Sequence, residues 1–137
     1  MGWAPPPPTS RRKRVLMWAT LAGLAVGIVL AIAWSQLLWK AWTDCQAGDP
    51  FTQTVKLVFF SPFVVVSVVA AFDVPAFLFG RRCPRTAAVL GLGFALVATY
   101  MWFAWMLNNT VSAPFHTNQR GTCPGTVPPW WPSWLPV

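Results

Sequence analysis

Acidic residues are almost missing from this chain: Asp44, Asp49 and Asp73 are the three among 137 positions, and glutamate is absent. Charged residues of both signs reach only 9%, against roughly 25% in an ordinary soluble domain. Such a chain could not hide its 55% of hydrophobic residues from water in a soluble fold of this length. Histidine occurs once, as His116, whereas a metal site needs several convergent ligands. No metal is therefore expected. No Gly-rich loop opens a helix to cradle a phosphate, and no Ser/His/Asp set is present. No two carboxylates share one face. Gly91-x-Gly93 lies inside an apolar run and reads as packing. No catalytic residue and no cofactor are expected, and no repeat of solenoid period occurs.

What the chain does have is three long apolar runs, Val15–Trp39, Val55–Phe79 and Thr86–Leu107. About 20 helical residues cover a hydrocarbon core of roughly 30 Å, so each run is long enough to cross a bilayer. The fold class read from this is an all-α membrane protein with three transmembrane helices. A basic leader followed by Ala31-Ile32-Ala33 imitates a secretory signal, but the first run exceeds the usual h-region and is read as a retained anchor.

The net charge of +7 is split by these runs. Arg11, Arg12, Lys13, Arg14, Arg81, Arg82 and Arg85 fall on one side, and Lys40, Lys56 and Arg120 on the other. The positive-inside rule then sets an N-in/C-out topology. Because the charges do not form one surface, nucleic acid is not an expected partner. Trp34, Trp39, Trp42, Trp102 and Trp105 suit an outer aromatic belt, and Trp18 an inner one.

This reading divides the chain into seven parts. Residues 1–14 are a disordered Pro-rich and basic leader, with a polyproline stretch at Pro5–Pro8. Residues 15–39 are the first span, 40–54 an outer loop and 55–79 the second span. Residues 80–85 are an inner turn, 86–107 the third span and 108–137 an extracytoplasmic tail. Gly48-Asp49-Pro50 is a turn signal that stops a helix. Pro62 and Pro75 are expected to break the second span, because each removes a helical donor from a carbonyl, near Val58 and Ala71. Asn108-Asn109-Thr110 matches a glycosylation sequon but lies too close to the membrane for a transferase.

Small residues recur every fourth position as Ala19, Gly23, Gly27, Ala31 and Ser35, and again as Ala87, Gly91, Ala95 and Thr99. Such faces let helices approach closely in lipid. The two stripes can meet each other within the monomer, or serve a homo-oligomer or a partner subunit. Asp73 is the one acidic residue in the apolar runs. It is expected at the inner rim beside Arg81, Arg82 or Lys13/Arg14, with a proton-relay or gating role as the alternative.

Cys45 and Cys123 fall on the outer, oxidising side and are expected to form a disulfide, whereas Cys83 faces inward. Trp130, Trp131 and Trp134, set among prolines, are expected either to dock on a partner or to lie in the membrane interface. Together with the first loop, the tail should form an ordered outer cap.

The function read from these features is a small accessory or assembly subunit of a larger, energy-transducing or other, membrane complex. Its partners would be other integral membrane subunits and lipid, in a bacterial plasma membrane or an energy-transducing organelle membrane. The alternatives are a homo-oligomeric transporter or channel component using Asp73 and the second span, and an extracytoplasmic thiol-redox protein using Cys45 and Cys123.

Overall fold

Each apolar run becomes one helix, and the helices extend beyond the runs. The computed structural model describes residues 8–45, 49–80, 83–111, 123 and 127–136. Its helices are α1 (Pro8–Asp44), α2 (Pro50–Phe79) and α3 (Pro84–Val111), and the described residues contain no strand. Hydropathy finds the apolar part of a helix, but backbone hydrogen bonding continues through polar residues until something interrupts it. Residues 8–14, expected in the leader, therefore form the first turns of α1, and 40–44, expected in the loop, form its last. The leader's first seven residues, the inner-turn arginines Arg81 and Arg82, and His116 lie outside the described residues.

All three helices are long and apolar enough to cross a membrane. Val29, Val58, Val66, Val89 and Val97 are exposed on their surfaces, while no polar or charged residue is buried among the described residues. Exposed aliphatic surface on every element suits lipid, and the chain is a multi-pass membrane protein.

The expected turn signal falls in the break between α1, which ends at Asp44, and α2, and its Asp49-Pro50 pair starts α2 five positions before the apolar run does. Asp49 is the N-cap, its Oδ2 accepting the Thr52 N–H at 3.1 Å, and Pro50 takes the first helical position, where a missing N–H costs nothing.

The two internal prolines do not break α2 either. The helix is continuous from Pro50 to Phe79 with both inside it. Each freed carbonyl has a neighbour. The Ser61 hydroxyl donates to the Val58 carbonyl at 3.3 Å. The Ala71 carbonyl faces Gly91 of α3, where a side-chain carbon would come within 3.4 Å of it. Gly91 thus leaves room for α3 to pack close beside that carbonyl.

α2 is the central helix. It packs along both α1 and α3, which touch each other far less. The two small-residue stripes consequently face α2 and not each other. A Cβ on Gly23 would meet Val69 Cα at 3.1 Å and Phe72 Cβ at 3.2 Å, and one on Gly27 would meet Val65 at 3.3 Å. From the other side, a Cβ on Gly91 would meet Phe72 Cδ1 at 3.1 Å. Ala31, Ala87 and Ala95 are buried, and Ala19 is half-buried. Gly93 has nothing within 4 Å, so only the first glycine of the Gly91-x-Gly93 pair is a packing residue.

The core lies toward the end where α1 finishes and α2 begins. It is built from Trp34, Leu38, Ala41, Trp42, Val64, Phe103, Met106 and Leu107. Trp34 and Trp42, expected in an aromatic belt, are each only 1% exposed. They are core residues because they point between the helices, a direction that hydropathy does not encode. Trp102 also leaves the belt: its indole N–H donates to Ser67 Oγ of α2 at 3.1 Å. Trp18, Trp39 and Trp105 remain exposed on the surface.

Candidate functional sites: an acidic cleft and a tryptophan clasp

The first site is a cleft between α1 and α2 near the basic end of the bundle. Leu16, Thr20, Asp73, Val74, Phe77 and Leu78 line it. Continuation of α2 through Pro75 holds Asp73 within the helix instead of at its end, six positions before Phe79. The Thr20 hydroxyl lies 2.9 Å from Asp73 Oδ1 and 3.0 Å from the Leu16 carbonyl. The hydroxyl has one proton to give to these two acceptors.

The expected anchoring of Asp73 to Lys13 or Arg14 does not occur. Among the described residues the one ion pair is Lys40–Asp44. Asp73 is half-buried, with its carboxylate at the cleft wall and apolar side chains around it. Chemically, the cleft offers a carboxyl hydrogen-bond acceptor among apolar side chains. Among the described residues that line it, Asp73 is the one titratable group.

The second site is at the opposite end of the bundle. Cys45, one residue past α1, is bonded to Cys123, closing a separation of 78 residues with a Cα–Cα distance of 5.1 Å. The bridge delivers the chain that follows it to the helix ends, where residues 127–136 fold over α1 and α3. Trp130 Nε1 donates to Asp44 Oδ2 at 2.8 Å. The same oxygen accepts from Lys40 Nζ at 3.0 Å, and the Lys40 ammonium lies 5.8 Å from the Trp130 ring centre. These three side chains form a closed polar triangle around one carboxylate oxygen.

Trp131 turns the other way. Its ring stacks on Phe103 at 5.0 Å and on Tyr100 at 6.5 Å, both on α3. Two turns hold the segment, Trp131 N–H to the Pro128 carbonyl at 2.9 Å and Leu135 N–H to the Pro132 carbonyl at 3.0 Å. Trp131 Nε1 donates to the Leu135 carbonyl at 2.9 Å, and the Tyr100 hydroxyl donates to the Pro136 carbonyl.

This geometry corrects the expectation for two of the three tail tryptophans. Trp130 and Trp131 dock on their own chain, and Trp134 alone points away, 78% exposed. The tail fills the side on which α1 and α3 leave a gap. Sequence reasoning missed Thr20, Lys40, Asp44, Tyr100 and Phe103. Only the Lys40/Asp44 pair carried a local signal, its i,i+4 spacing on a helix. Cys83 is a free, exposed thiol between α2 and α3. Among the described residues no group of three or more His, Cys or Asp side chains gathers to hold a metal. Comparison of the chain with protein-family models, with curated proteins and with solved structures finds no match.

Proposed function

We propose that the protein is a small, non-catalytic subunit of a larger integral-membrane assembly, inserted with its N-terminus on the cytoplasmic side. The observation that carries this reading is the Asp73 carboxylate at the wall of a cleft opening sideways from the bundle, with Thr20 as its hydrogen-bond donor. An ionised carboxylate has room for about four donors. In lipid it also calls for a counter-charge. A partner helix presenting a lysine or arginine at this depth would supply both. The proposed orientation is supported by the seven basic residues on the Arg14/Arg85 side against three on the other.

The internal use of the small-residue stripes also supports a docking role centred on Asp73. With Gly23, Gly27 and Gly91 all turned to α2, the stripes hold the subunit itself together. Recruitment of a neighbour then falls to the cleft. Purification in mild detergent tests the reading. Wild-type protein should co-purify with other membrane subunits in fixed stoichiometry. Asp73→Ala should lose them while remaining monodisperse. A ring made of this chain alone would instead support the transporter alternative, in which Asp73 lines a shared path.

A further inference from the structure

The last described segment descends along α3. Trp130 is anchored at Asp44, at the end of α1, whereas Pro136 is held by the Tyr100 hydroxyl. Tyr100 lies seven positions inward of Leu107 on α3. That is about 10 Å along the axis at ~1.5 Å per residue. Leu107 ends the apolar run, so the segment passes below the level at which α3 leaves the hydrocarbon.

Irregular backbone is tolerated at such depth only when its polar groups are satisfied. Residues 127–136 meet part of that demand internally and leave the rest to the water and headgroups of the interface. Four of the ten are proline and carry no N–H, and none is charged. Two of the remaining amides close the turns at Pro128 and Pro132. The carbonyls of Pro128, Pro132, Leu135 and Pro136 all accept hydrogen bonds. The proline content that rules out a helix here also removes four of the ten amide donors that would resist entry into lipid.

We propose that residues 127–136 form a re-entrant element seated in the bilayer leaflet nearest the α1–α2 connection, with Trp134 facing lipid. Trp131 and Trp130 make the protein-facing side, through Phe103, Tyr100 and Asp44. Trp134 makes the other side, and its ring joins exposed Trp39 and Trp105 in the aromatic band of that leaflet. The occupant of the exposed surface is thus phospholipid, at the boundary between headgroups and acyl chains. This inference needs only that the helices cross the membrane, and stands apart from the role assigned to Asp73.

Site-directed spin labelling of the full chain tests it. A Cys83→Ser background keeps the Cys45–Cys123 bond as the only other cysteine pair, verified by mass under non-reducing conditions. Nitroxides are placed singly at Trp134→Cys, Ser133→Cys, Trp105→Cys and Asn109→Cys in phosphatidylcholine/phosphatidylglycerol vesicles. Accessibility is read with oxygen, which partitions into lipid, and with a nickel chelate, which stays in water. The oxygen-to-nickel ratio at position 134 should match that at 105 and exceed that at 109 several-fold. Position 133, whose substitution leaves every tryptophan in place, should also exceed 109. Nickel accessibility at 133 and 134 as high as at 109 overturns the proposal. Spin–spin broadening at 134 that disappears on dilution with unlabelled protein would assign the surface to a second copy, and would overturn it too.

Discussion

Gly23 on α1 and Gly91 on α3 close on the same side chain, Phe72 of α2, which approaches their missing Cβ positions at 3.2 and 3.1 Å. Phe72 is in effect the rivet of the three helices. Both outer helices can reach it because they carry hydrogen where any other residue carries carbon. In lipid, where helices gain little from hiding apolar surface, this close approach is a main source of association.

That relationship makes glycine substitutions position-dependent. Gly23→Ile and Gly91→Ile should each destabilise the fold by about 1–3 kcal/mol, the usual range for overpacking a tight contact. Gly93→Ile, facing open space, should change stability by less than ~0.5 kcal/mol. Denaturation in mixed micelles, followed by circular dichroism, measures all three. Equal losses at 91 and 93 would refute the assignment of Phe72 as the shared contact.

The proline sites in α2 predict a second contrast. Ser61→Ala leaves the Val58 carbonyl without its hydroxyl donor and should cost about 1 kcal/mol, as for a lost hydrogen bond. Combining it with Pro62→Ala restores an amide donor to that carbonyl. The double variant should therefore be less destabilised than Ser61→Ala alone, and a double-mutant cycle reads the coupling.

Thr20→Val removes the donor to Asp73 while keeping its shape. Membrane hydrogen bonds average about 0.6 kcal/mol, so the isolated protein should lose little stability. Co-purification of partner subunits should fall far less than with Asp73→Ala, because the charge remains. If Thr20→Val abolishes assembly as completely as Asp73→Ala, the hydroxyl and not the carboxylate is the recognition group.

Reduction of Cys45–Cys123 should release the tail. In the chain-entropy model a loop of 78 residues would contribute about 4–5 kcal/mol. Spans held in a bilayer restrict the reduced chain, so the measured loss on Cys123→Ser should be smaller. Its signature should be in the tryptophans: Trp131 leaves Phe103 and Tyr100, and near-ultraviolet dichroism weakens. Trp131→Ala should reproduce that change with the disulfide intact, whereas Trp134→Ala, whose ring touches little of the protein, should not.

Much of this architecture is legible in one dimension. A bilayer selects on local composition, so apolar run length alone locates the three helices near 15–39, 55–79 and 86–107, and small residues at every fourth position mark the faces that pack. Two cysteines on one side of the membrane were enough to nominate a bridge. The errors have one physical origin. Pro62 and Pro75 carry a breaking signal, yet α2 stays whole: Ser61 serves one freed carbonyl, and Gly91 packs close beside the other from another helix.

What the sequence by itself determined, then, is that the chain carries three helices long and apolar enough to cross a membrane and where they lie, because burial in lipid depends on consecutive residues. What only the tertiary structure decided is the order of packing and the fate of polar groups. It put α2 between the stripes, took Trp34 and Trp42 into the core, paired Asp73 with Thr20 and folded Trp131 onto Phe103. Those outcomes depend on contacts between residues tens of positions apart, where side-chain volume and hydrogen-bond geometry, not hydropathy, choose the neighbour.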